Sequence, residues 1–322
     1  MSNDRSTSEA SSALVADVGG TNIRLAMASE DGFHHQKTWL CSEFETINDA
    51  LKAYIESTDS ASAPSRASIA VAGPVTTDFV DITNQSWSFS IEQLRSDLGL
   101  DDLLVVNDFT AQAAAIPRLE PEDVRLLKSG EAIETASIAV LGSGTGLGVG
   151  GLVLSRGGSS PLATEGGHTT LAATNQREWA VIETLQKKFG RVSNERVLSG
   201  PGLVNLYSAL SQIEGESPRI TTAAEIVERV DEDARCLEAV RMFSGWLGSV
   251  AGDLVLTLGA LGGAYIGGGV IPKMGHRFDR EHFVERFLAK GRYRSYMEPV
   301  PVYLVVNTDI AHLGLAALIQ QR

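Results

Sequence analysis

Short apolar runs that end at glycines or polar pairs alternate along this chain with longer segments whose apolar residues recur at helical spacing, the signature of an α/β protein. Residues 14–16 form a short strand, Asp17-Val18-Gly19-Gly20-Thr21-Asn22 turns it, and residues 23–28 form a second strand in which Arg24 alternates with apolar neighbours. A third strand near 34–40 completes a meander. Ile47, Leu51, Tyr54 and Ile55 predict an amphipathic helix that closes at a Ser/Ala/Pro-rich linker over 59–65. Residues 67–72 are a buried strand ending at Gly73-Pro74, and a loop through Thr83-Asn84 and Trp87 leads to a helix near 91–98. The apolar run 103–106 is followed by helix-forming residues 111–116, so Asn107 and Asp108 fall at a strand-to-helix junction, where open α/β sheets gather ligands.

Pro117 and Pro121 mark a boundary, after which the opening device recurs: a strand over 137–141, a Gly-rich turn over 142–148 and a β-branched run over 149–154. Gly20-Thr21-Asn22-Ile23 and Gly144-Thr145-Gly146-Leu147 look like one turn used twice, which suggests duplication. Helices are then predicted over 178–189, 202–210, 222–230 and 233–258, with a strand at 264–266, a helix near 280–288, a strand over 300–306 and a final helix over 310–321 placed to cross back to the first lobe. Residues 254–271 carry no charge and match a membrane span in length, but Gly262-Gly263 and Gly267-Gly268-Gly269 interrupt them, so a buried helix and a short strand fit better.

Size and charge narrow the picture. A chain of 322 residues exceeds the usual single core, which favours two lobes. Its net charge of −13 argues against wrapping nucleic acid or lying on an anionic membrane, and a small substrate fits better. A nucleotide would have to be met locally, by backbone N–H groups and a metal ion. The two cysteines, Cys41 and Cys236, lie far apart and point to a reducing, cytoplasmic compartment without disulfides or thiolate zinc. The Ser-rich first dozen residues have no apolar core and read as a mobile tail, not a signal peptide.

Several stretches carry candidate chemistry. Glycines in a turn after a strand let N–H groups converge into an anion nest, and Asp17 beside the first nest suits a hydrated Mg²⁺ on phosphates. Alone, that turn is more often an ordinary hairpin; a second nest at 142–148 brings the two readings level, because two nests are what a nucleotide clamped across a cleft requires. A dinucleotide-type match at Gly146, Gly148 and Gly151 fails because a strand, not a helix, follows, and no Walker lysine is present. Glu165-Gly166-Gly167-His168 offers an acceptor and a donor-acceptor for neighbouring sugar hydroxyls, or else is a solvated turn; a metal would need further His or Cys ligands nearby. Glu195 by itself reads as surface, and Asp108 by itself as a helix cap.

Together and in order, Asp17-Val18-Gly19-Gly20-Thr21-Asn22-Ile23-Arg24, Thr83-Asn84-Gln85-Ser86-Trp87, Asn107-Asp108-Phe109-Thr110-Ala111, Gly144-Thr145-Gly146-Leu147-Gly148, Glu165-Gly166-Gly167-His168, Glu195-Arg196-Val197-Leu198-Ser199-Gly200-Pro201-Gly202 and Gly267-Gly268-Gly269-Val270-Ile271-Pro272 resemble the bacterial glucokinases of the sugar kinase, actin and chaperone ATPase superfamily. The resemblance implies an α/β, two-lobed ribonuclease H-like (actin-like ATPase) fold, with mixed sheets flanked by helices and an interlobe active-site cleft. It divides the chain into a small domain, 1–118 plus 308–322, and a large one, 119–307. It further implies transfer of the γ-phosphoryl group of ATP to the 6-hydroxyl of glucose, in the cytoplasm, by a homodimer, with Asp108 as general base. Asn107, Glu165, His168 and Glu195 would bond sugar hydroxyls, with Asn84, Gly73 and Pro74 lining the same pocket. Gly19, Gly20, Thr21 and Asn22, with Gly144, Thr145 and Gly146, would hold the ATP phosphates, Gly267, Gly268 and Gly269 would admit the nucleoside, and Asp17 would meet Mg²⁺ through water. The related group with a cysteine-rich zinc motif is excluded, because no cysteines cluster after His168. Another hexose or another phosphoryl donor on the same scaffold remains an alternative. An actin-type ATPase is disfavoured by the Glu-Gly-Gly-His turn, and a sugar-binding regulator by the lack of a DNA-binding appendage.

Overall fold

A computed structural model describes residues 12–58, 63–83 and 85–322. Asn84, the Ser-rich start at 1–11 and residues 59–62 of the linker, each singled out above, lie outside the described residues. The chain divides into two compact units, one running up to Arg118 and taking in Thr308–Arg322, the other formed by Leu119–Asn307.

The first unit opens with an antiparallel meander of β1 (Ala13–Val18), β2 (Asn22–Ser29) and β3 (Gly32–Leu40). Ile23 and Leu25 are fully buried while Arg24 between them is exposed, as the alternation predicts. β3, which is largely polar, forms the edge of the sheet, where exposed charges and polar groups discourage further pairing. Helix α1 (Ile47–Ser57) starts at a capping box: Asp49 N donates to Thr46 Oγ1 and Thr46 N to Asp49 Oδ2. Next come β4 (Arg66–Val71), a small hairpin of β5 (Phe79–Asp81) and β6 (Ser88–Ser90), helix α2 (Ile91–Asp97), β7 (Asp102–Asn107) and helix α3 (Asp108–Ala115). The hairpin was not anticipated; three-residue strands that each bury one residue, Val80 and Phe89, leave too little periodicity to read. The sheet order is β3-β2-β1-β4-β7, with β4 parallel to both β1 and β7.

The second unit contains β8 (Val124–Lys128), β9 (Ile138–Ser143), β10 (Leu147–Ser155) and β11 (Gly158–Ala163), then helices α4 (Gln176–Phe189), α5 (Gly200–Ile213), α6 (Ala223–Glu228) and α7 (Ala234–Leu258). It continues with β12 (Ala264–Gly267), α8 (Val270–Met274), α9 (Arg280–Leu288), α10 (Arg294–Met297) and β13 (Val302–Val305). Its sheet runs β11-β10-β9-β12-β13-β8. The strands missed from sequence, β8 and β11, are the two edges, where burial does not enforce alternation; Pro161 sits in β11, as edge strands allow. Both sheets share one plan, an antiparallel meander of three strands followed by two strands in parallel. The likeness of the two opening turns therefore extends to the topology around them.

The charge-free stretch resolves as expected, because α7 stops at Leu258, with Gly259 in the left-handed conformation, and β12 follows. Among the described residues no helix is long and apolar enough to cross a membrane, and Cys41 and Cys236 are buried and unpaired.

Helix α11 (Ile310–Gln320) returns to the first unit and packs on α3. Ser68 Oγ of β4 donates to Leu315 O at 3.0 Å, and Gly314 lies so close to α3 that a side chain there would overlap Ala111 O. Gly314→Ala is expected to force the helices apart and destabilise the protein by about 1–3 kcal/mol, the usual cost of overpacking. A lowered urea midpoint at unchanged slope checks this.

Candidate functional site

In the first unit, parallel pairing lines up the carboxyl ends of three strands. Val18 is paired with Val71 and Val71 with Asn107, so whatever follows each strand emerges at one edge. Ala72 N donates to Val18 O at 3.3 Å and Thr83 N to Ala72 O at 2.8 Å, which carries the loop after β4 along that edge.

Asn107 is the cap of α3. Its Oδ1 accepts from Phe109 N at 2.8 Å and Thr110 N at 3.3 Å, and its Nδ2 donates to Gly73 O at 3.2 Å. The cap contributes about 1 kcal/mol and leaves one amide hydrogen for a ligand. Gly73 takes φ +127°, a conformation side chains rarely adopt, and a Cβ there would stand 2.8 Å from Thr83 Oγ1. Asp108 therefore does not cap the helix, as its isolated reading had it. It is the first helical residue, half-buried, with Oδ1 accepting from Phe109 N at 3.0 Å. The helix dipole favours its negative charge there.

Asp17, near the end of β1, pairs in register with Arg24 and Ala70. Burial pushes its carboxyl above the usual range; positive charge on His312 and Arg24 pulls it back and Asp309 pushes it further up. His312, buried in α11, donates from Nε2 to Arg24 O at 3.2 Å, while Arg24 Nη1 donates to Thr308 O at 2.8 Å. The adjoining turn closes by Gly19 N to Asn22 O at 2.9 Å and leaves Gly20, Thr21 and Asn22 exposed.

In the second unit, the predicted residues gather around the start of β10. The turn from β9 to β10 closes by Gly144 N to Gly146 O at 2.8 Å. Leu147 N then donates to Glu195 Oε2 at 3.0 Å, and Glu195 occupies the space that a side chain on Gly146 would need. Leu147 O lies where a side chain on Gly167 would be, and a Cβ on Gly166 would meet Val149 Cγ1 at 2.7 Å, so the Glu165–His168 turn rests directly on β10. Asn194 Nδ2 donates to Thr169 Oγ1 at 2.8 Å and Arg191 Nη1 to His168 O at 2.7 Å, which joins that turn to the segment carrying Glu195. Glu165 and His168 are exposed, with Oε2 and Nε2 3.9 Å apart. Gly200 N, at the start of α5, donates to Gly144 O at 2.9 Å, and Ser143 Oγ to Leu198 O at 2.9 Å. Gly267 is paired with Gly142, and Gly268, at φ +84°, would bring a Cβ within 2.8 Å of Ser143 N.

Each unit thus brings its own predicted residues together: Asp17, Gly19 to Asn22, Gly73-Pro74 and Asn107-Asp108 at one sheet edge, and Gly144 to Gly146, Glu165, His168, Glu195 and Gly267 to Gly269 about Leu147. The sequence profile described as Glucokinase matches residues 14–322. The chain belongs to the glucokinase family. It is 45% identical over 307 residues to the glucokinase of Aromatoleum aromaticum, covering 94% of this chain and 93% of that protein. It is 43% identical over 313 residues to the bifunctional protein glk of Burkholderia thailandensis, covering 96% of this chain but only 48% of that longer protein. The crystal structure of a glucokinase from an Antarctic psychrotroph superposes with a TM-score of 0.88 at 37% identity, covering 97% of this chain and 99% of that one. The fold of this family member is the ribonuclease H-like, actin-like ATPase fold, with mixed sheets flanked by helices.

Among the described residues no three His, Cys, Asp or Glu side chains cluster as a metal site. Mg²⁺ keeps most of its waters on a nucleotide and takes one or two carboxylates, so Asp17, with Asp309 near enough to act on its charge, fits an ion held mainly by water and phosphate. The sequence reading missed Arg24 and His312 beside Asp17, and Ser143, Leu147 and Gly200 around the second turn. Their contributions come from backbone atoms or from contacts between residues far apart in the chain, as between Ser143 and Leu198 or His312 and Arg24, and no local motif encodes them.

The folded chain holds the Asp17 carboxyl above its ordinary range. Its ionised form is penalised by the fold, so the cost is absent below the ordinary carboxylate range and grows as pH rises through the elevated folded value. Asp17→Asn should therefore raise the Tm of the ligand-free protein at neutral pH, with the gain vanishing in acid. Thermal melts across pH test this, and an unchanged Tm at pH 7 contradicts it.

Proposed function

We propose that this protein transfers the γ-phosphoryl group of ATP to the 6-hydroxyl of glucose, giving glucose 6-phosphate and ADP at the start of glycolysis. Similarity to a curated glucokinase over 94% of the chain, together with Asp108 at the carboxyl edge of three strands, is the observation that carries this reading. A sugar hydroxyl is a weak nucleophile, and a carboxylate within hydrogen-bond reach orients it and takes its proton as the new P–O bond forms. Asp108 is the group for that role. The bond from the γ-phosphorus to its bridging oxygen breaks, the proton passes to the Asp108 carboxylate, and ADP leaves.

Asn107, through its remaining amide hydrogen, and Glu165, His168 and Glu195 are assigned to the sugar hydroxyls, with Gly73, Pro74 and Asn84 lining the sugar site. Carboxylates accept from hydroxyls and the imidazole either donates or accepts, so this set reads a polyol. The turns Gly19, Gly20, Thr21, Asn22 and Gly144, Thr145, Gly146 are assigned to the phosphates, where backbone N–H groups offset negative charge despite the acidic surface. Gly267, Gly268 and Gly269 are assigned to the nucleoside. Mg²⁺, oriented by Asp17 through water, would supply charge neutralisation on the phosphates. A cytoplasmic homodimer completes the proposal.

A coupled kinase assay across hexoses, with ATP, ADP and polyphosphate as donors, tests the reading; preference for another sugar or donor would replace it. Asp108→Ala should lower kcat by ~10²–10⁴-fold, the span of general-base effects, while calorimetric glucose affinity stays within a few-fold of the parent. Full turnover in that variant would remove Asp108 from the role of base.

A further inference from the structure

We infer that Glu195 is a positioning residue for the glycine turn that receives the nucleotide phosphates, and that it couples nucleotide affinity to hexose affinity through a single carboxylate. The inference rests on the sugar and phosphate roles proposed above. Oε2 of Glu195 accepts from Leu147 N at 3.0 Å, the first amide of β10 after Gly144-Thr145-Gly146. The same oxygen fills the space beside Gly146, where any side chain would collide with it.

The backbone of Glu195 is itself fixed. Ser199 Oγ donates to Glu195 O at 2.9 Å, and that same Ser199 Oγ caps α5 by accepting from Gly202 N at 3.0 Å. Gly200 N, one residue on, holds Gly144 O at 2.9 Å. The turn is therefore tied at Gly144 by a backbone bond and at Leu147 by a charge-assisted one, and only the second ends on a side chain that a ligand can address. A half-buried carboxylate with one oxygen engaged keeps its other oxygen for a hydroxyl.

A sugar hydroxyl donating to Oε1 restricts the side-chain torsions of Glu195 and holds Oε2 on Leu147 N. Phosphates seated on the turn hold Leu147 N where the carboxylate meets it. Each ligand pre-orders the group the other needs, so each must raise the affinity for the other by the same factor. A Glu195 that served the sugar alone would leave nucleotide binding in the absence of sugar untouched.

Calorimetric titration of ADP with Mg²⁺ into the full chain, with and without glucose, separates the two cases. Glu195→Ala is expected to weaken ADP about tenfold in the absence of glucose, the effect of one charge-assisted hydrogen bond, and to abolish any gain on adding glucose. Glu195→Gln keeps an oxygen for Leu147 N and should restore most of the ADP affinity while glucose binding stays weak. Gly146→Ala, which displaces the carboxylate, should reproduce the ADP defect, and amide exchange at Leu147 should accelerate in both Ala variants. ADP affinity within twofold of the parent in Glu195→Ala and Gly146→Ala alike overturns the inference. A parent chain that binds neither ADP nor glucose overturns the proposed function instead, so the two failures read differently.

Discussion

Parallel pairing is the constraint on which both units depend. When β1, β4 and β7 run side by side in one direction, the residues that follow them must leave the sheet at one edge, and the turn after β1, Gly73 and Asp108 all do so. The second unit applies the same rule with β9, β12 and β13, where Gly142 and Gly267 are register partners and their glycine turns adjoin. A meander alone would scatter these ends, because antiparallel neighbours finish at opposite edges.

At these edges the backbone does much of the work that side chains do elsewhere. Gly146, Gly167 and Gly268 each stand where another chain segment, or the Glu195 carboxylate, already occupies the space of a Cβ. The absence of side chains thus brings β10, the Glu165–His168 turn and the Glu195 segment into direct contact. Asn107 performs the equivalent task in the first unit, since one amide group caps α3 and also holds the carbonyl of Gly73.

The electrostatics follow from the same economy. A chain of net charge −13 repels a polyphosphate at long range, so attraction has to be short-ranged and directional. In the proposed reading the exposed turn at Gly20 to Asn22 offers that in the first unit, and the turn at Gly144 to Gly146 in the second. Asp17 shows the opposing cost, a carboxylate that burial holds above the ordinary range against the pull of His312 and Arg24.

Long strands and helices with one buried face were legible in the sequence. The meander, α1, α4, α7 and α11 repeat burial at a fixed period, and a period survives in one dimension. The Asn107-Asp108 junction and the glycine turns were legible too, as breaks in that period, and their joint order carried the family. The edge strands β8 and β11 and the hairpin of β5 and β6 were not, because nothing buries them on a regular face. Nor could the sequence decide that Asn107, not Asp108, caps α3, that Glu195 reaches the amide of Leu147, or that His312 lies against Arg24. Those choices belong to hydrogen bonds whose partners are distant in the chain or are backbone atoms common to every residue, and only the folded packing selects among them.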